Sequence, residues 1–159
     1  MMPSITLREA TEQDGPFLFE LFQAVRMADF AHVPLPPAQL DMLMRMQFEA
    51  QAVGYRAQYP NADHEIVLRE GQPAGRILVD RARTEYLLVD ISMAPAHQGH
   101  GMGTALLSGL IAEARQAGVP LRCSVATNNP GSLRLHRRLG FRIVAQDPVY
   151  YRLECPPTP

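Results

Sequence analysis

Residues 94–107 read APAHQGHGMGTALL: glycines at 99, 101 and 103 alternate with larger residues, and an aliphatic run follows at once. Alternating glycines cost backbone entropy, so leaving out the Cβ atoms must bring a return. The run upstream, YLLVDISM over 86–93, has the apolar, β-branched make-up of a strand. The run downstream predicts a helix from about Gly103 to Ala117, with Leu106, Leu107, Leu110, Ile111 and Ala114 on one stripe and Gly118 at the C′ position. A strand, a tight loop and a helix N-terminus together make an anion site, because first-turn N–H groups are unpaired and stand at the positive end of the helix dipole. The expected ligand is a phosphate or pyrophosphate held by the backbone of Gln98, Gly99, His100, Gly101, Met102, Gly103 and Thr104. A glycine-rich turn that binds nothing is the alternative.

Two familiar phosphate fingerprints do not fit. A dinucleotide loop has its third glycine one residue later, a small residue where Leu106 stands, and an acid at the end of the next strand, where this chain has Thr127 and Asn128. A P-loop needs Lys and Ser/Thr after its last glycine, and Gly103 is followed by Thr and Ala.

SITLR (4–8) reads as a first strand. Thr11 and Asp14 form a variant capping box, followed by a helix with Phe17, Leu18, Leu21, Phe22 and Val25 on one stripe. The prolines of 27–37 stop it, and a second helix runs from Pro37 to about Tyr59, carrying Leu40, Leu43, Met44, Phe48 and Tyr55 near one face. Residues 64–70 and 73–80 read as a hairpin across Gly71-Gln72, and 120–127 as a further strand. Asn129 caps a short helix with Pro130 at N1, ending at Gly140, before strands over 141–146 and 149–154. The order β-α-α-β-β-β-α-β-α-β-β predicts an α/β (α+β) fold. Its mixed, mostly antiparallel sheet has about six to seven strands, one parallel βαβ pair with a right-handed crossover, and helices on both faces. Residues 1–154 form one domain, and CPPTP, residues 155–159, is expected to be a loose tail.

A net charge of -1 gives no pull toward nucleic acid or an anionic membrane. No apolar run approaches a membrane span, and MMPSITLREA lacks the basic and apolar regions of a signal peptide. Cys123 lies in an apolar run and Cys155 in the tail, with no metal-ligand spacing around either. The expectation is a cytoplasmic protein without a metal.

Gln98-Gly99-His100-Gly101-Met102-Gly103 matches the Q/R-x-x-G-x-G/A signature of the GNAT superfamily of acyl-CoA-dependent N-acyltransferases, and NNPGSLRLHRRLGF (128–141) resembles that family's second motif. The resemblance implies acetyl-CoA as cosubstrate, with its pyrophosphate on the backbone of residues 98–104. Its pantetheine arm would lie along Ile91, Ser92 and Met93, where the strands at 86 and 121 splay. There the N–H of Met93 would polarise the thioester carbonyl. Asn129, Ser132 and His136 would line the cofactor arm, and Arg137 and Arg138 either reach the terminal phosphate or form a solvated face. Two departures stand out: relatives often carry Arg or Lys at positions 98 and 100, and many have a tyrosine where this chain has His136.

The implied reaction is direct attack of a primary amine on the thioester. Asp90, a carboxylate inside an apolar strand, is the first candidate for its base, with a structural role as the alternative; Glu85 and Glu65 are second choices. His136 shares a helix face with Ser132, Leu135 and Leu139, which points it at the sheet, either as a general acid for the thiolate or as a core histidine. The acceptor would be gripped by residues 26–37 and the second helix. Arg26, Asp29, His32, Asp41 and Arg45 leave small amines, amino acids, antibiotics and protein amines all open. The protein is expected to act as a monomer or homodimer. A non-catalytic acyl-CoA-binding sensor or interaction module is the alternative from another class, and a dinucleotide oxidoreductase is disfavoured by the loop.

Overall fold

A computed structural model describes residues 4–159. Its strands are β1 (Ile5–Glu9), β2 (Asp63–Arg69), β3 (Gln72–Arg81), β4 (Tyr86–Met93), β5 (Leu121–Ala126), β6 (Arg142–Gln146) and β7 (Tyr150–Cys155). Its helices are α1 (Gly15–Phe30), α2 (Pro37–Gln58), α3 (Met102–Ala117) and α4 (Pro130–Arg138). The strands form one seven-stranded sheet in the order β1-β2-β3-β4-β5-β7-β6. Every neighbouring pair is antiparallel except β4 and β5, which are joined through α3. This is the expected mixed sheet with one parallel pair.

Period-two alternation divides the core between the two faces of the sheet. Val67, Ile77, Val79, Leu121 and Leu153 are buried with Leu107, Leu110, Ile111 and Ala114 of α3. Ile66 and Leu78, their out-of-phase neighbours, are also buried, and Leu78 stands with Leu18 of α1 and Phe48 of α2. Phe48 meets the rings of Phe19 and Phe22 at 5.4 and 5.5 Å, which locks α1 onto α2. The turn into α1 is held by Asp14, whose carboxylate takes the Thr11 N–H at 2.8 Å and two Arg8 bonds at 2.8 and 2.9 Å. Chiefly through the Arg8 bonds, the Asp14 pKa is held down at about 2.

Three expectations are corrected. α1 continues past Met27 to Phe30, because its first downstream proline is Pro34 and nothing before it breaks the helix. Its buried face is also rotated: Val25 is 45% exposed, while Phe19, absent from the predicted stripe, is buried against α2. Cys155 is not part of a tail. It ends β7 opposite Leu121 and is buried, because Tyr151, Leu153 and Cys155 alternate onto the core face and a free cysteine behaves as a small hydrophobe.

Candidate active site

β4 and β5 pair only at Tyr86–Leu121 and Leu87–Arg122, then part. Which backbone groups of β4 face the gap follows from its bonds. The Tyr86 N–H donates to Pro120 O at 2.9 Å, toward β5, and the Ala94 N–H donates to Ala74 O at 2.8 Å, toward β3. On a regular strand these two even-numbered residues would face the same way. Between them Leu78 lies opposite Asp90 and Val79 opposite Leu88, so Val89 is an extra residue that inverts the phase. Beyond the bulge, the N–H and C=O groups of Ile91 and Met93 face the gap, with no strand to satisfy them. The side chain of Gln98 donates to Met93 O at 3.0 Å, so it closes this carbonyl instead of reaching into the loop.

The glycine loop leads from this gap to α3. Gly99 (φ 77°) and Gly101 (φ 76°) are left-handed, a region that side chains strain to enter, and Gly101 is the N-cap of α3. The first loop-to-helix bond is Ala105 N–H to Gly101 O at 3.0 Å, which leaves the N–H groups of Met102, Gly103 and Thr104 directed out of the helix end. The Met102 side chain turns into the core, 2% exposed.

Arg69 supplies a cation that the loop's own sequence lacks. Its guanidinium stands 3.5 Å from His97 Nδ1 and 3.4 Å from His100 Nδ1, donating to both ring nitrogens. Sequence reasoning missed this residue, although the signal was available. β2 is two antiparallel steps from β4, so the two strands run parallel and their last residues, Arg69 and Met93, reach the same edge.

α4 forms the far wall of the gap. Asn129 Oδ1 accepts the Ser132 N–H at 3.1 Å, the expected N-cap. His136 is buried, with Phe141 edge-on at 5.1 Å and Nδ1 2.7 Å from Ser132 O. A carbonyl partner makes Nδ1 the protonated nitrogen, and none of the described residues bonds Nε2. Burial pushes the His136 pKa below the ordinary 6.5, against the smaller opposing pull of the Ser132 bond. Burial thus favours the neutral ring, in which the Nε2 lone pair is free. A cavity of about 160 Å³ between β4 and β5 brings Asp90, Ile91, Asn129, Ser132 and His136 together.

Asp90 is not the isolated carboxylate that its apolar neighbours suggested. Arg76 Nε donates to Oδ2 at 3.0 Å, Arg76 Nη2 donates to the same oxygen, and Ser92 Oγ donates to Oδ1 at 3.0 Å. Arg76 also donates to Gln51 Oε1 at 2.9 Å and lies over the Tyr55 ring. These groups border a second cavity of about 230 Å³ under α1 and α2. Arg26 lines it; Asp29, His32, Asp41 and Arg45 do not. Glu85 is paired with Arg122 at 2.9 Å, and Glu65 lies on β2 beside Glu9 and Asp63, so neither lines the gap. Among the described residues no group of His, Cys, Asp and Glu is arranged to hold a metal ion, and no helix is long and apolar enough to cross a membrane.

A family model described as "Acetyltransferase (GNAT) domain" matches residues 4–142. The chain belongs to this family. It is 49% identical over 55 residues to the L-methionine sulfoximine/L-methionine sulfone acetyltransferase of Salmonella typhimurium, covering 34% of this chain and 32% of that protein. It is 47% identical over 55 residues to the L-amino acid N-acyltransferase MnaT of Escherichia coli, again covering 34% and 32%. These matches span about a third of either relative's length. The PaiA N-acetyltransferase of Thermoplasma acidophilum, solved in complex with coenzyme A, shares the GNAT fold at a TM-score of 0.71 and 16% identity over 95% of this chain and 98% of that one.

Proposed function

We propose that the protein is an N-acetyltransferase that moves an acetyl group from acetyl-CoA to a primary amine by direct attack in a ternary complex. The observation that carries this reading is the inverted phase of β4, which turns the Ile91 and Met93 amides into a gap ending at the glycine-flanked start of α3. A pantetheine arm has amides to pair with Ile91 and Met93, and a pyrophosphate fits the N–H groups of residues 102–104 with Arg69 beside them. The complex of PaiA with coenzyme A and the activities named for the two curated relatives support the same donor and reaction.

In this reading the Met93 N–H donates to the thioester oxygen as charge builds on it. The amine nitrogen bonds to the carbonyl carbon, the C–S bond breaks, and one proton must pass from nitrogen to sulfur. His136 Nε2 receives that proton and returns it to the thiolate, acting first as base and then as acid. Asp90 is a positioning residue: it fixes Arg76 and Ser92 where the two cavities meet.

Thermal shift with CoA, acetyl-CoA and NAD, followed by thiol release across an amine panel, tests the proposal. A ligand at a hundredfold excess over Kd stabilises the native state by about 2.7 kcal/mol. The expected result is a shift with CoA and acetyl-CoA, none with NAD, and amine-dependent thiol release. Binding of CoA without thiol release from any amine would favour the non-catalytic module.

A further inference from the structure

We propose that the acceptor is an apolar α-amino acid, held through its free carboxylate by Arg26. The proposal rests on the acetyltransferase reading and names the substrate class for the same site.

The cavity under α1 and α2 and the gap between β4 and β5 share Asp90 and Ile91. A molecule seated in the first therefore presents its reactive group to the second at these residues. Three charged side chains line the acceptor cavity: Arg26, Arg76 and Asp90. Arg76 and Asp90 are paired with each other. Arg26 lies 5.1 Å over the Phe22 ring and has no acidic partner among the described residues. The cavity thus carries one uncompensated positive charge, on a guanidinium whose fork matches a carboxylate.

One wall is apolar, formed by Leu18, Leu21, Phe22 and Val25 of α1 with Ile91, and the polar side chains of Gln51, Tyr55 and Ser92 complete the lining. At about 230 Å³ the cavity falls below the roughly 300–1,000 Å³ of pockets for larger ligands. Its size suits one small molecule with an apolar side chain. A polyamine would bring more positive charge beside Arg26 and Arg76 with nothing to offset it. An amino acid brings the carboxylate that compensates Arg26.

Initial rates with acetyl-CoA on L-leucine, L-leucinamide, isopentylamine and spermidine test this, with wild type and Arg26→Met. The wild type should favour leucine over leucinamide and isopentylamine by about tenfold to a hundredfold in kcat/KM, the worth of a hydrogen-bonded charge. Arg26→Met should bring the leucine-to-leucinamide ratio close to one through the KM for leucine, with an unchanged melting temperature reporting an intact fold. Efficient acetylation of leucinamide, isopentylamine or spermidine at or above the leucine rate would overturn the amino-acid assignment and leave the acetyltransferase reading standing. An unchanged ratio in Arg26→Met would overturn the role of Arg26. Thiol release from none of these amines, nor from a broader panel, would overturn both readings.

Discussion

Tyr86 and Ala94 lie eight residues apart along β4 and its end, yet their N–H groups donate to opposite neighbours, Pro120 O and Ala74 O. The single extra residue at Val89 accounts for this, and it places the Ile91 and Met93 amides in the gap. With unbroken alternation the amides of Asp90 and Ser92 would face the gap instead, and full pairing of β4 with β5 would leave an extended ligand no free edge inside the sheet.

Gly75 lies opposite Met93 on β3 and tests how closely that edge is held. A Cβ there would clash with the Ser92 carbonyl oxygen and lie 2.7 Å from Met93 Sδ. Gly75→Ala should destabilise the fold by roughly 1–3 kcal/mol, read as a lower denaturant midpoint, and should weaken CoA binding by displacing Met93. An unchanged midpoint would show that β4 yields there without penalty.

Arg69→Met removes the guanidinium beside His97 and His100. Affinity for CoA should fall by about tenfold, the low end for a hydrogen bond to a charged group, and should become less sensitive to salt. Equal affinities and equal salt slopes in titration calorimetry would remove Arg69 from the phosphate site.

Asp90→Asn keeps the shape of the side chain but leaves the Arg76 charge unmatched. If Asp90 positions Arg76 and Ser92, the acceptor KM should rise while the pH–rate profile keeps its shape. Loss of turnover at neutral pH that recovers when the amine deprotonates unaided would instead make Asp90 the base.

His136 gives two pH signatures. Its pKa, like that of His64, is lowered from 6.5, mainly by burial. The unfolded chain therefore binds more protons than the folded one as pH drops through and below 6.5, so stability should decline there and stay level above it. His136→Phe should reduce this decline. In turnover, the variant should be slower by roughly tenfold to a hundredfold at pH values where the wild-type ring is neutral, and the difference should shrink as acid protonates Nε2. A difference that grows toward acid would restore the imidazolium as a resting acid, and equal rates throughout would leave His136 a packing role only.

Much of this was legible in the sequence because it depends on local rules. The three glycines, the aliphatic stripe of α3 and the Asn129 cap each follow from a few neighbouring residues. What was missed depends on the register between distant segments. Arg69 approaches His100 only because β2 and β4 end at one edge. Asp90 looked unpartnered because Arg76 is on the preceding strand, with Ser92 directly across from it. The rotated face of α1 follows from Phe48 on α2, and Cys155 belongs to the core only because β7 pairs with β5 through its last residue. The lowered pKa of His136 likewise depends on burial, which its own helix does not report.

The glycine loop is the proposed seat of the CoA pyrophosphate, and CoA titration of folded Gly101→Val tests this directly. At φ 76° valine is strained, but no atom other than its chain neighbours lies within 4 Å of its Cβ site. The variant should therefore fold, with only a modestly lower melting temperature, and should show no measurable CoA binding under conditions that saturate the wild type. A folded Gly101→Val that binds CoA as tightly as the wild type would contradict the account.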